Sequence, residues 1–307
     1  MQRPATSRPP DPADRVVLVT GGAGDIGSAV AAGAARLGAT VVIADNGTSV
    51  TGVGQDPDRV VRVADRLAAE HGSVTGYHCD LTDGDQVEAM FENLIDEHGA
   101  VDAVVAAAAT VRVRPVWELT PDDWRNVFDA HASHTYLVAA AACRHWRSTG
   151  APRSGPPRSL VTLTAATGLV GRPDLGLAHT AAKGAIVGLT LELAHEMYPY
   201  GVSVNAVAEA NVRGRVAAHV GARLSAGDGT FDASSPDHVG TLAAYLAGGD
   251  APFVTGQVFR VVGGLIGRYR GWEVIRSLDP GGFGSIDEVR LGVRRLFDAF
   301  GGCGYPR

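Results

Sequence analysis

RVVLVTGGAGDIGSAVAAGAARL, residues 15–37, is an apolar run, a cluster of glycines and a helical pattern in succession. Residues 15–20 have the length and character of a buried strand, and a helix-type pattern occupies residues 28–37. Between them stands TGGAGDIG, residues 20–27. Glycines at such a junction let the main chain approach a diphosphate, whose charge then meets the unpaired amides of the helix N-terminus. A bare glycine motif would say little; the strand–turn–helix setting is what makes this one informative. The candidate dinucleotide contacts here are Thr20, Gly21, Gly22, Asp25, Ile26 and Gly27. Asp25 is the odd member, a carboxylate that either crowds a phosphate or caps the helix.

The same alternation continues along the chain. A strand over residues 40–45 ends in Asp45, and NGTSVTGVGQDPD (residues 46–58) delays the next helix until about Asp58. A third strand over residues 74–80 runs into CDLTD, residues 79–83. A fourth, at residues 101–105, leads into four alanines at 106–109. TPDDW (residues 120–124) opens a helix with an N-cap and a proline in the first turn, and the pattern runs on towards Trp146. Residues 148–159 are polar and rich in Pro, Ser and Gly, as in a surface loop. VTLTAATGLVGRPDLGLAHTAAK, residues 161–183, begins in a strand (residues 160–166), crosses a loop and enters a helix at residues 177–196. His179 and Lys183 are four apart and share a face of that helix. A strand at 202–208, the segment EANVRG (209–214), a helix at 236–246 and a strand at 258–262 follow. Strands alternating with helices predict a doubly wound α/β domain. Beyond it, residues 286–300 read as one amphipathic helix.

At 307 residues and 45% apolar content, one large α/β domain accounts for the chain, and no run of apolar residues is long enough to span a bilayer. Residues 1–14 have arginines and prolines without an apolar core, which reads as a disordered arm, not a signal peptide. Cys79, Cys143 and Cys303 are widely spaced and odd in number, so neither a disulfide framework nor a metal site is indicated. The expected location is cytoplasmic. A net charge of -6 without basic clusters argues against nucleic acid or a membrane surface as partner. Lys183 is the only lysine; the other 26 of the 27 basic residues are arginine. Either arginine codons of a GC-rich genome have displaced lysine elsewhere, or one position needs a small ammonium that a planar guanidinium cannot imitate.

TGGAGDIG, CDLTD, Lys183 and the TGQ at residues 255–257, in this order, resemble the short-chain dehydrogenase/reductase (SDR) family over about residues 15–264. The insertion at 46–58 and RYRGWEVIRSLD (268–279) resemble its long-loop subgroup, which includes the dehydrogenase domain of peroxisomal multifunctional enzymes. The resemblance implies a Rossmann-like doubly wound parallel sheet of seven strands with helices on both faces. Residues 265–307 would be an extension packing on the domain or on a subunit interface, or closing over the substrate pocket. It implies a dinucleotide, with Asp45 on the adenosine ribose and Asp80 and Leu81 at the adenine, unless Asp80 is only a helix cap. Asp45, with no nearby arginine between Gly22 and Thr51 to supply a phosphate clamp, points to NAD (NADH) and away from NADP. Family members act on small molecules and form homodimers or homotetramers through two long helices.

The reaction half departs from the family's pattern. Its Ser falls on Ala165 or Ala166, its Tyr on His179, its helix Asn on His131, and its Asn-Asn-Ala-Gly on the four alanines. Glu209 and Ala210 replace Pro-Gly, and Gly214 replaces the Thr that would bond the carboxamide. Only Lys183 remains, in the family an electrostatic and ribose-holding group. General acid/base help is worth ~10²–10⁴-fold, so losing both Tyr and Ser argues against ordinary alcohol or ketone redox. The leading expectation is therefore non-redox acid/base chemistry on a small molecule, such as cyclisation, dehydration, isomerisation or retro-aldol cleavage in bacterial secondary metabolism. His179 would be its main acid/base and His131 its partner. Glu209 would reach in from a loop, with Thr164 or Thr167 as a hydroxyl donor. His134, three residues from His131, could join them, but a surface or interface place is the expectation. Two other readings stand beside it: NAD-dependent hydride transfer with His179 in place of Tyr, and a catalytically dead homologue serving as an oligomer subunit or binding partner. Zinc on His131, His179 and Glu209 is compatible with the sequence, but no spacing demands a metal.

Overall fold

The computed structural model describes residues 15–152, 156–171, 175–222, 224, 231–274, 277 and 285–297. The arm at 1–14, Cys303, residues 172–174 of the loop before His179 and residues 298–300 of the expected last helix lie outside them. The chain divides into two compact units, Met1–Tyr269 and Arg270–Arg307.

In the first unit, strands and helices alternate from the start: β1 (Val16–Thr20), α1 (Asp25–Arg36), β2 (Thr40–Asp45), α2 (Asp58–His71), β3 (Val74–His78), α3 (Gly84–His98) and β4 (Ala103–Ala106). Then come α4 (Pro121–Phe128), a π-helical turn (Asp129–Ser133), α5 (His134–Thr149), β5 (Arg158–Ala165), α6 (Thr167–Val170), α7 (Gly176–Met197) and β6 (Val202–Ala210). The unit ends with α8 (Arg215–His219), α9 (Asp237–Ala247), β7 (Gln257–Val262) and β8 (Leu265–Arg268). The sheet order is β3-β2-β1-β4-β5-β6-β7-β8. Seven strands are parallel, as the alternation predicts. The eighth is an antiparallel edge strand made by the residues after Gly264, which is why the first unit reaches Tyr269.

Apolar side chains on the two sheet faces form two large buried clusters, one under α1, α2 and α9 and the other under α3, α5 and α7, with a small third one of Val187, Ala206, Ala208 and Val258. Nearly every residue of β1 and β4 is fully buried, as expected of parallel strands covered on both sides. The chain leaves β1 towards β2 on one side and returns through β4 on the other. The crevice at the carboxyl ends of these strands is where such sheets receive ligands. The helix expected from Pro121 towards Trp146 is present as a continuous run that passes through the π turn, which widens it at His131.

In the second unit, α10 (Ile286–Phe297) is the described element. Ser285 caps it reciprocally with Glu288: the Ser285 amide donates to Glu288 Oε2 at 2.8 Å and the Glu288 amide to Ser285 Oγ at 3.3 Å. Among the described residues, no helix of the chain is long and apolar enough to cross a membrane.

Candidate active site

A cavity of about 830 Å³ runs along the carboxyl ends of the strands, from the glycine turn to α7. Gly21, Asp25, Ile26, Gly27, Asp45, Asp80 and Leu81 all line it. Gly21 has φ 65°, and a Cβ there would stand 2.5 Å from the Ala108 Cα, so only glycine fits. Gly22 is packed against Ile43 and Thr20 lies beneath the turn; neither lines the cavity. Instead, the fully buried Thr20 hydroxyl accepts from the Ala107 amide at 3.2 Å and meets His134 Nε2 at 3.2 Å. Thr20 thereby fixes the alanine segment beside the turn.

Asp45 closes the end of β2. Its carboxylate accepts from the Ala23 amide at 3.2 Å and the Gly47 amide at 2.8 Å, which holds it at the rim. Arg59 from α2 reaches the same turn, donating to the Ala23 carbonyl at 2.9 Å. Asp80 is not a helix cap: it accepts from the Thr82 amide and hydroxyl, while Asp83 caps α3. Asp25 does not cap α1 either, since Gly24 occupies that position; its carboxylate accepts from the Arg215 amide at 2.9 Å. The insertion after β2 forms one wall, anchored where the Val111 amide donates to the Val50 carbonyl at 2.8 Å.

At the other end, α6, α7 and β6 bring Thr167, His179, Lys183 and Glu209 to the cavity. Lys183 Nζ donates to the Leu163 carbonyl at 2.7 Å, and Thr164 donates to the Lys183 carbonyl at 2.7 Å. Thr164 is thus occupied within the fold and does not line the cavity. Burial pulls the Lys183 pKa down to about 8, with Glu209 opposing. Glu209 belongs to β6, opposite Ala165, and not to a loop as expected. Burial pushes its carboxyl up while Lys183 pulls it down; no direct ion pair joins the two.

His179 is 4% exposed, and neither ring nitrogen has a hydrogen-bond partner. Burial, then the Lys183 ammonium, takes its pKa down to about 3, so the imidazole is neutral. The Thr167 hydroxyl is likewise buried without a partner. His131 meets His179 edge to face, with ring centroids 5.0 Å apart, but does not itself reach the cavity. Its Nε2 lies 2.6 Å from the Thr110 carbonyl and 3.2 Å from the Thr110 amide; one nitrogen cannot serve both, and the shorter contact assigns Nε2 the proton. Burial, with Lys183, keeps His131 neutral too.

His134 corrects a sequence expectation. It is 1% exposed, lines the cavity and bonds Thr20; burial lowers its pKa to about 4. The sequence pattern did not single out Arg59 or Arg215. The unexplained carboxylate of Asp25 was the one available signal for Arg215, since a charge in a phosphate-type turn calls for a counter-charge. Among the described residues, no group of three or more His, Cys, Asp or Glu side chains is placed to hold a metal ion.

Residues 21–266 match the family described as Enoyl-(Acyl carrier protein) reductase. A hydroxyacyl-CoA dehydrogenase of Mycobacterium tuberculosis is 33% identical over 85% of this chain and 81% of its own length. A cis-4-hydroxycyclohexanecarboxylate dehydrogenase of Sinomonas cyclohexanicum is 32% identical over 82% of this chain and 96% of its own. The crystal structure of a short chain dehydrogenase from Mycobacterium avium superposes with a TM-score of 0.79 at 30% identity, covering 94% of this chain and 96% of that one.

Proposed function

The chain belongs to the short-chain dehydrogenase/reductase family, and from that premise we propose that it is an NAD-dependent oxidoreductase acting on a secondary alcohol or ketone, with His179 in the place of the family's Tyr. The relatives are dehydrogenases and reductases, so hydride transfer takes precedence over the cyclisation, dehydration or isomerisation to which the missing Ser and Tyr pointed. The observation that carries this reading is the pair of unpartnered polar groups, the His179 imidazole and the Thr167 hydroxyl, in the cavity that begins at the glycine turn.

The residues present fit a dinucleotide. Gly21 and Gly24 bring bare main chain to the cavity, and the amides of Asp25, Ile26 and Gly27 open α1 without partners inside the helix. These groups would hold the diphosphate, Asp45 the adenosine ribose, Asp80 and Leu81 the adenine, and Lys183 the second ribose. When bound, the nicotinamide supplies or accepts the hydride. The fixed Asp45 carboxylate favours NAD by repelling a 2′-phosphate. The wall formed by residues 46–57 supports a place in the long-loop subgroup.

At the reacting oxygen, a neutral His179 works by hydrogen bonding. One ring nitrogen accepts from a substrate hydroxyl, or donates to a carbonyl, and Thr167 provides a second donor. A developing alkoxide draws on the Lys183 ammonium nearby. A base of such low pKa is weak, so turnover is expected to be modest beside a Tyr-containing relative.

The test combines binding and turnover. NADH, NADPH and ADP-ribose are titrated against the protein, with nicotinamide fluorescence followed. Hydroxyacyl-CoA, cyclic hydroxy acid and secondary alcohol panels are then followed at 340 nm. His179→Ala is expected to bind NADH like the native protein and to lose turnover ~10²-fold or more. Failure to bind any nucleotide, or full turnover in the variant, would refute the reading.

A further inference from the structure

The residues that replace the family's middle Gly and its carboxamide Thr, Asp25 and Gly214, are in contact. We infer that Asp25 and Arg215 form an exchangeable clasp that ties the β6–α8 connection to the glycine turn and sets how tightly a dinucleotide diphosphate binds. The inference rests on the dinucleotide reading above.

Asp25 and Arg215 are 190 positions apart in the chain, yet the Arg215 amide donates to Asp25 Oδ2 at 2.9 Å, and Arg215 Nε lies 3.6 Å from the same atom. Gly214, at φ 152°, allows this approach: a Cβ there would sit 2.6 Å from Asp25 Oδ2. A threonine at this position would collide with the carboxylate, so the two replacements are physically coupled. Side chain and main chain of the β6–α8 connection thus close on the turn, and Asp25, Gly214 and Arg215 all line the cavity.

The clasp competes with a ligand for the same charge environment. Asp25 is the first residue of α1, and its carboxylate stands where the helix end attracts an anion. An incoming diphosphate meets that carboxylate at close quarters. The cations needed to offset it are also present. Arg215 Nη2 reaches to within 3.6 Å of where a Cβ on Gly24 would be, so its guanidinium lies against the turn. Arg59 is bonded to Ala23 on the same turn, and the two guanidiniums repel one another. Both partners of the Asp25–Arg215 pair are 39% exposed, and an ion pair so exposed is weak and easily exchanged. A phosphate bearing more charge and more acceptor oxygens than Asp25 takes Arg215 over. Asp25 then acts against binding and Arg215 for it.

Binding of ADP-ribose and NADH is measured by calorimetry on the full chain and on Asp25→Asn, Asp25→Gly and Arg215→Ala, each checked for native circular dichroism. Asp25→Asn keeps an oxygen for the Arg215 amide while removing the charge, so it separates electrostatics from loop order. Both Asp25 variants are expected to bind ADP-ribose about tenfold tighter, and Arg215→Ala about tenfold weaker. Native-like or weaker affinity in both Asp25 variants overturns the clasp and leaves the dinucleotide reading standing. Absence of nucleotide binding in the native chain and all variants overturns both.

Discussion

Replacing Lys183 by Met removes the one ammonium that folding carries out of water. Burial takes its pKa from 10.5 to about 8, against the pull of Glu209. That gap corresponds to roughly 3 kcal/mol against the charged form in the native state. Because the folded pKa lies below the unfolded one, the unfolded chain holds more protons between about 8 and 10.5. Native stability therefore rises with pH across that window; the penalty is complete below it and gone above it. Met keeps the length of the side chain but leaves the Leu163 carbonyl without its 2.7 Å donor, an offset of ~1–2 kcal/mol. At pH 7 the variant is expected to exceed the native protein by about 1–2 kcal/mol, and by pH 10.5 the order is reversed. Urea unfolding followed by circular dichroism between pH 7 and 10.5 reads this out, and taking differences cancels the titration of other groups. Glu209 is pushed up by burial and pulled down by Lys183, so a parallel pair carrying Glu209→Gln removes its contribution. A difference that stays flat with pH would mean that Lys183 is solvated and that the electrostatic account of the site is wrong.

Two further outcomes follow from the same geometry. Gly21→Ala forces a positive φ on an L residue and drives its Cβ into Ala108, so a loss of roughly 2–4 kcal/mol in urea unfolding and of measurable NADH binding is expected; native affinity would show that the turn relaxes. With His179 at about 3 and His134 at about 4, the pH profile of kcat/KM for any substrate found should be flat from pH 5 to 7 and should fall near 8 as Lys183 loses its proton; a limb near 6.5 would place a solvated histidine in the mechanism.

What the sequence made legible was whatever depends on local pattern. The glycine turn, Asp45 and the His179–Lys183 spacing each follow from neighbours a few residues away, and each stands where its element type predicts. The misplaced residues are those whose surroundings come from distant segments. Glu209 falls where the family's Pro-Gly would follow the strand and so reads as a loop residue, yet pairing with β5 and β7 extends β6 through Ala210. His131 and His134 could be ordered along a helix but not oriented, because the π turn changes the angular step at just those positions. The β8 strand, Leu-Ile-Gly-Arg, is too short to show an alternation and exists through its pairing with β7.

The single lysine now has a physical explanation beyond codon usage. At position 183 the side chain is enclosed, and the one acceptor it reaches is the Leu163 carbonyl. An ammonium satisfied there keeps its remaining hydrogens for the cavity. A guanidinium would bring five N–H donors and a plane to a space that offers one partner, and it could not shed its proton to relieve burial. The neighbouring histidines fit the same requirement. His131, His134 and His179 are buried around a cation and are tolerated because burial keeps all three neutral. Glu209 provides the opposing charge across the cavity. Lys183 therefore organises the surrounding electrostatics, and an arginine in its place would undo the protonation states on which a hydrogen-bonding His179 depends.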